Sequence, residues 1–376
     1  MTELVLLKNA RMYPSVTDVL VAGGRIAAIG ELDVPMAEQV DLDGALLIPG
    51  LIDAHTHLTG GGGEGGAHTK VPPPGLMAFT RAGVTTVIGL LGTDCRTRSI
   101  AELLAAARSL SHHGLTALCY TGGYEVPPVT LTGSARGDIV HVDRIVAIGE
   151  IAISDHRSSQ PTFDEFVRLA ADAHVAGMLT GKAGLLHLHL GDGRRGLELV
   201  RRALADTEIP ARVFHPTHVN RNRALWEEAK ALAGVTVDVT AFDADGDAPS
   251  GGQAIADWVH SGLDPSRLTL SSDGGGCLPT FDRDGNLLAM DVGASASLLR
   301  AVGEAVSLGV PLEIALATCT SNVARQFRLA GKGRIAVGLD ADLTVLGPEL
   351  QVTGVIAGGR WMVRHGEAKV RGWFEG

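Results

Sequence analysis

The chain contains no apolar run approaching the roughly 18 residues that a membrane-spanning helix needs, so a helical membrane span is not expected. It begins Met1-Thr2-Glu3-Leu4-Val5-Leu6, with no basic segment leading into an apolar stretch and a small-residue cleavage site, so no signal peptide is expected either. Its four cysteines, Cys95, Cys119, Cys277 and Cys319, form no C-x-x-C pair and no cluster. That spacing fits a reducing, cytoplasmic setting, in which a cysteine is most simply a small buried hydrophobe. There is no basic stripe, which argues against a nucleic-acid partner. Short-period repeats, low-complexity tracts and blocks of like charge are also missing.

What is present is a chain of 376 residues, 45% hydrophobic and 20% charged, with a net charge of −10. Those fractions are ordinary for a globular protein, and the length allows a large single core. The mild acidity speaks to solubility and not to substrate.

Three kinds of segment follow one another. Near the start, Val19-Leu20-Val21-Ala22 and Ile26-Ala27-Ala28-Ile29 are short apolar runs joined across Gly23-Gly24, a hairpin signal. Near the end, 342–346 and 352–356 read as strands, and Gly358-Gly359 precedes Trp361-Met362-Val363 as a second hairpin signal. Two strand-rich ends around a different middle predict one small β-sandwich module built from 1–48 and 334–376 together. The middle, 49–333, alternates: apolar runs at 51–57, 84–90, 115–120, 145–151, 185–189, 213–218, 236–240 and 268–273 are candidate strands. Helical spacing appears between them, as in Ile100, Leu103, Leu104, Ala107 and Leu110, and in Phe163, Phe166, Val167 and Ala170. Such alternation predicts an α/β fold, a parallel (β/α)8 barrel of the TIM type.

Polar residues gather at the C-terminal ends of these runs, the face where such barrels carry their active sites. The first ends in Asp53-Ala54-His55-Thr56-His57, and residues two apart on a strand point to the same side. Two adjacent imidazoles suit a zinc-like ion. The fifth run ends at His189, the sixth at His218 and the eighth at Asp273. This set, an H-x-H on strand one, single histidines on strands five and six and an aspartate on strand eight, resembles the amidohydrolase pattern. A divalent ion in such a site lowers the pKa of water, and the strand-eight aspartate can take that water's proton and pass it to a leaving amine.

Further segments narrow the resemblance. Gly60-Gly61-Gly62-Gly63-Glu64, Gly89-Leu90-Leu91-Gly92-Thr93-Asp94, Ala152-Ile153-Ser154-Asp155-His156-Arg157, Pro216-Thr217-His218-Val219-Asn220-Arg221 and Leu270-Ser271-Ser272-Asp273-Gly274 are similar to segments of the isoaspartyl dipeptidases, and the similarity covers nearly the whole chain. That family hydrolyses dipeptides linked through the aspartate side chain. The resemblance implies that His55 and His57 hold one metal, that His189 and His218 hold the other, and that Asp273 is both ligand and proton shuttle. It implies that Glu64 pairs with the substrate amine, that Arg157 and Arg221 bind substrate carboxylates through their guanidinium forks, and that Tyr124 stabilises the oxyanion. Thr93, at the end of strand two, is placed to line the pocket. Zinc, as two ions or one, and a homo-oligomer complete what the family implies.

Each residue also has a plainer reading. Glu64 can be a solvated carboxylate, residues 60–63 a flexible turn or a close approach of backbone, the two arginines structural and Tyr124 packed core. His187, His215 and His156 read as satisfied core histidines, and His112-His113 as surface residues. The chain departs from the family at two places. Glu150 stands where most members have a lysine that is carboxylated to bridge the metals; here it is expected to be a direct metal ligand. Cys277 stands where they have a serine that binds substrate carboxylate, and a thiol is a much weaker donor. Two rival functions stay open at this stage. One is another amidohydrolase acting on cyclic amides or N-acyl amino acids, against which Glu64, Arg157 and Arg221 argue for a zwitterionic dipeptide. The other is a degenerate barrel that only binds small molecules.

Overall fold

A computed structural model describes residues 4–376 apart from 283 and 285; residues 1–3, which belong to the expected terminal module and to the chain start read for a leader, lie outside the described residues. Six parallel strands, Leu51–Thr56, Val84–Gly89, Thr116–Thr121, Ile145–Ile153, Leu186–Leu190 and Phe214–Thr217, lie side by side in chain order. Val237–Thr240 and Leu268–Ser271 form a further parallel pair. The ring closes at both seams: the Val219 amide donates to the Asp238 carbonyl at 3.5 Å, and Thr56 bridges in parallel to Gly274, with the His57 amide donating to the Gly274 carbonyl at 2.8 Å. The chain is an eight-stranded (β/α)8 barrel. Its strands are called barrel strands one to eight below.

The helices between them start where the sequence offers caps. Ser99 accepts from the Glu102 amide to open Ile100–His113, and Gly114 in the left-handed region ends it. Thr162 and Glu165 form a capping box for Phe163–Thr180, whose Phe166, Ala170 and Ala173 are buried against the barrel. The apolar spacing in the sequence is therefore the barrel-facing stripe of each helix.

The two ends of the chain meet in one nine-stranded sheet. Leu46–Pro49, at the threshold of the barrel, pairs with Leu343–Leu346 on one side and touches Leu4–Met12 on the other. Ser15–Ala22 pairs with Arg25–Gly30 across Gly23 (φ 61°) and Gly24 (φ 79°), and Val352–Ala357 pairs with Arg360–Arg364 across Gly358 (φ 55°) and Gly359 (φ 80°). Two successive left-handed residues make the two-residue turn whose twist matches the strands it joins, which is why both hairpins use a glycine pair. Val5, Leu7, Val19, Val21, Ile26, Val345 and Ile356 fill a core separate from that of the barrel.

One element was not foreseen. Cys277–Phe281 and Leu287–Val292 form an antiparallel hairpin directly after barrel strand eight, and its residues wall the barrel mouth.

Candidate metal centre

His55, His57, Glu150, His189, His218 and Asp273 converge at the C-terminal mouth of the barrel, all of them buried. His55 on barrel strand one and His57 just past its end both point inward, as their spacing predicts. His218 and Asp273 have φ of 59° and 55°, a conformation that non-glycine residues adopt at a cost of about 1–2 kcal/mol. Tight turns hold them there: the Arg221 amide donates to the His218 carbonyl at 3.0 Å, and the Gly276 amide to the Asp273 carbonyl at 2.9 Å. Each turn aims its side chain across the mouth and sends the backbone away. The glycines around them serve the same crowding. A Cβ on Gly276 would collide with Asp273 Oδ1, and one on Gly92 would lie 2.7 Å from His57 Cε1. Gly60 backs onto the Val71 carbonyl in the same way, so the loop at 60–63 is a close approach of backbone and not a loose turn.

Glu150 sits at the centre. Its Oε2 lies 3.6 Å from His55 Nε2, 3.1 Å from His189 Nδ1 and 3.7 Å from His218 Nε2, and its Oε1 lies 3.8 Å from His57 Nε2. Asp273 Oδ1 lies 3.0 Å from His57 Nε2 and 3.5 Å from His55 Nε2. Donors bound to a common ion at about 2.0–2.2 Å sit some 3–4 Å from one another, which is the spacing seen here. The residues fit a metal on two further counts. His55 Nε2 and Asp273 Oδ1 are buried and face the cluster without a hydrogen-bond partner among the described residues. The local field also favours a cation: burial alone would lower the His55 pKa, but Glu150 and Asp273 raise it to about 9. Burial likewise opposes ionisation of Glu150, yet His55, His189 and His218 outweigh it and hold its carboxyl well below the usual range.

Around this core lies a cleft of about 920 Å³ lined by Glu64, Thr93, Tyr124, Arg157, Arg221 and Cys277, so the structure brings every substrate-side residue named from the sequence into one cavity. Glu64 accepts hydrogen bonds from Thr93 Oγ1 at 2.9 Å, from Cys277 Sγ at 3.2 Å and from Arg157 Nη1 at 3.4 Å. It is a held charge and not a solvated one. The Tyr124 hydroxyl lies 2.8 Å from His189 Nδ1, and burial keeps it protonated by pushing its pKa well above the phenol value. Arg221 carries a buried Nε with no partner among the described residues. Arg157 forks onto Asp155, at 3.0 Å from Nε and 2.7 Å from Nη2.

That last contact exposes a residue that sequence reasoning passed over. Asp155 also lies 3.0 Å from His189 Nε2, so one carboxylate orients the histidine on its outer nitrogen and neutralises the arginine beside it. Asp155 stands in the quoted Ser154-Asp155-His156-Arg157 run, but nothing in that run says which strand it faces. Asp53 was also missed. It accepts from Ser272 and from Ser295 Oγ (2.8 Å), tying barrel strand one to the turn that carries Asp273. His187 and His215 are buried as expected, and burial lowers both, His215 to about 4, so both rings are neutral. His156 is a correction: it is exposed at the cleft and is not core, because the chain has already left the barrel at Ser154. His112 and His113 lie at the surface end of a helix as expected, and Cys95, Cys119 and Cys319 are buried thiols.

Known proteins resemble this chain to different depths. The β-aspartyl dipeptidase of Fervidobacterium islandicum AW-1, solved in complex with β-Asp-Leu, is 41% identical over 99% of both chains with a TM-score of 0.94. A D-hydantoinase structure covers 100% of this chain and 98% of its own at 16% identity and a TM-score of 0.67, a likeness of fold alone. The dihydroorotase of Bacillus thuringiensis (strain Al Hakam) is 39% identical over 101 residues, which span 24% of this chain and 23% of that enzyme. Residues 46–362, from the threshold strand through all eight barrel strands and back into the terminal sheet, match the amidohydrolase family. A match of that extent, joined to a full-length relative with the same fold, makes this chain a member of the amidohydrolase family.

Proposed function

We propose that this chain is a metal-dependent dipeptidase that hydrolyses β-aspartyl dipeptides. The observation that carries the reading is the pairing of a held carboxylate, Glu64, with Arg221, whose Nε has no partner among the described residues, in one cleft beside the metal-ligand cluster. A dipeptide linked through its side chain keeps a free α-ammonium and free carboxylates, and these are the charges such a cleft can match. The 41% identical relative that binds β-Asp-Leu supports the same substrate class.

Histidine nitrogens and carboxylate oxygens suit zinc. Glu150 belongs to two candidate ligand groups, one with His55 and His57 and one with His189 and His218, which supports two ions sharing this carboxylate. A single ion is the alternative. When bound, the ions supply Lewis acidity and a lowered water pKa. The protein supplies the rest. Asp273 is ionised, since His55 and His57 outweigh the effect of burial and hold its carboxyl well below the usual range. It accepts the attacking water's proton at Oδ1 and returns it to the leaving amine nitrogen. The protonated Tyr124 hydroxyl donates to the oxygen of the scissile carbonyl as charge develops there. Glu64 pairs with the substrate α-ammonium, with Thr93 and Cys277 fixing its carboxylate, and Arg221 receives a substrate carboxylate. Arg157 holds Glu64 and Asp155 in place at the wall of the cleft.

A reducing, cytoplasmic setting and a homo-oligomeric state belong to the same reading. All four cysteines are free, and no helix of the described residues is long and apolar enough to cross a membrane. The test is metal analysis combined with rates on β-aspartyl-leucine, α-aspartyl-leucine and dihydroorotate. Turnover of the β-linked peptide alone is expected, with no gain from added bicarbonate, because a glutamate needs no carbon dioxide to become a ligand. Faster hydrolysis of the cyclic amide would replace this reading with that of a cyclic-amide hydrolase.

A further inference from the structure

Beneath the cluster, on the side away from the cleft, the barrel interior holds an unbroken file of polar side chains. His55 Nδ1 lies 2.9 Å from His187 Nε2, and His187 Nδ1 lies 2.9 Å from His215 Nδ1. His215 Nε2 lies 3.0 Å from Thr269 Oγ1, which donates to Asp238 Oδ1 at 2.6 Å. The file passes through barrel strands one, five, six, eight and seven, and each of its five members is fully buried. Polar groups so placed are costly unless every donor meets an acceptor. Asp53 with the serines around it, and the partly buried Lys332 ion pairs, are also polar groups inside the fold, but their hydrogen bonds join strand and loop segments and, among the described residues, none is made to a metal-ligand nitrogen.

The direction of the file follows from its far end. A carboxylate only accepts, and Asp238 takes hydroxyl protons from Thr269, Ser271 (2.5 Å) and Thr217 (2.7 Å). Thr269 has one proton and gives it to Asp238, so its oxygen must accept from His215 Nε2–H. A neutral His215 then has a bare Nδ1, which accepts from His187 Nδ1–H. His187 in turn has a bare Nε2, which accepts from His55 Nδ1–H. When His55 is neutral or binds a metal, its lone pair is therefore left on Nε2, the nitrogen that faces the cluster without a partner among the described residues. Asp238 thus dictates, through four hydrogen bonds, the tautomer that a metal needs. The rings cannot easily turn away, because Tyr120 stacks on His187 at 4.8 Å and 17° and Phe327 meets His215 edge-on at 5.4 Å. His57, two residues further on, has nothing comparable: its Nδ1 is buried without a partner among the described residues.

We propose that Asp238, Thr269, His215 and His187 form a positioning relay that locks His55 with its proton on Nδ1 and thereby sets how tightly the cluster holds metal. The relay rests on the reading of His55 as a metal ligand. Groups that orient a ligating histidine typically change metal affinity about 10- to 100-fold when removed.

The experiment measures zinc affinity by competition with a chromophoric chelator, together with imidazole 15N spectra of the metal-free protein taken above pH 9, where His55 is neutral, for the wild type and three variants. Thr269→Val keeps the shape and removes the hydrogen bond that joins the file to Asp238. The file can then reverse, leaving a proton on His55 Nε2. Its zinc affinity should fall by about 10- to 100-fold, and the His55 signal should shift away from the pure Nδ1–H form. Thr269→Ser keeps the hydroxyl and should restore both. Ser271→Ala removes a different hydrogen bond from the same carboxylate, so it should lower stability without lowering zinc affinity. Wild-type affinity and an unshifted His55 signal in Thr269→Val would overturn the relay. An equal loss of zinc in Ser271→Ala would also overturn it, by showing that packing around Asp238 is what counts. A wild-type chain that binds no zinc would overturn the metal-centre reading and the relay with it.

Discussion

The terminal sheet and the lower barrel interior are both buried, yet they are filled differently. Between the paired strands of the chain ends lie Val5, Leu7, Val19, Val21 and Ile26, packed as an apolar cluster. Inside the barrel, at the same depth, lie His187, His215, Asp238 and Thr269, joined by hydrogen bonds. An apolar core tolerates changes that keep its volume, because no single contact is essential. A polar file tolerates almost none, because removing one member leaves its neighbour buried and unpaired. The module is therefore specified by pattern and the barrel interior by particular atoms. Damage to the first should appear as lost stability, and damage to the second as lost metal or turnover.

Three changes test how far that division holds. Asp273→Asn should have the largest effect. It keeps the shape of the side chain but removes the proton acceptor, and kcat should fall by about 10²–10⁴ or more with most metal retained. Near-normal kcat, measured beside the metal content, would remove Asp273 from proton transfer and weaken the contrast at its strongest point. Leu7→Ala comes next. Leu7 is fully buried in the terminal sheet, so denaturation should show a loss of about 2–5 kcal/mol. Below the melting range, kcat and zinc content should stay at wild-type levels; a drop in either would mean the two regions are coupled. Glu64→Gln should be the smallest. A hydrogen bond to a charged group contributes about 1.5–3 kcal/mol, so KM should rise for β-aspartyl dipeptides and stay nearly constant for analogues without the free amine. Equal effects on both would make Glu64 a prop for its loop.

The parts that were legible in the sequence are those written in local periods. Val84–Gly89 and Phe214–Thr217 announced themselves as apolar runs, Gly23-Gly24 and Gly358-Gly359 as two-residue turns, and His55 and His57 as one inward face. Glu64 and Arg221 were named through resemblance, and they do face one cavity. The hairpin of Cys277–Phe281 and Leu287–Val292 is not legible in the sequence because residues 277–279 are only partly buried, Leu287–Val292 is largely exposed, and neither carries a clean alternation. His156 was misplaced because its neighbours in sequence are buried while the turn at Ser154 carries it outward.

Chain composition and spacing by themselves determined that this protein is an α/β barrel with a composite terminal sheet, and that a few histidines and an aspartate stand at strand ends. Strand periodicity and turn chemistry are properties of residues a few positions apart, so one chain suffices to read them. Only the tertiary structure decided which polar groups meet. His55 and His187 are 132 residues apart, and Ser272 and Asp53 are 219 apart, yet each pair is in hydrogen-bond contact. Barrel closure brings strands one and eight together and turns alternate side chains of every strand toward a common axis. Partnership there depends on how far each strand is staggered against its neighbours, and no local spacing encodes that stagger.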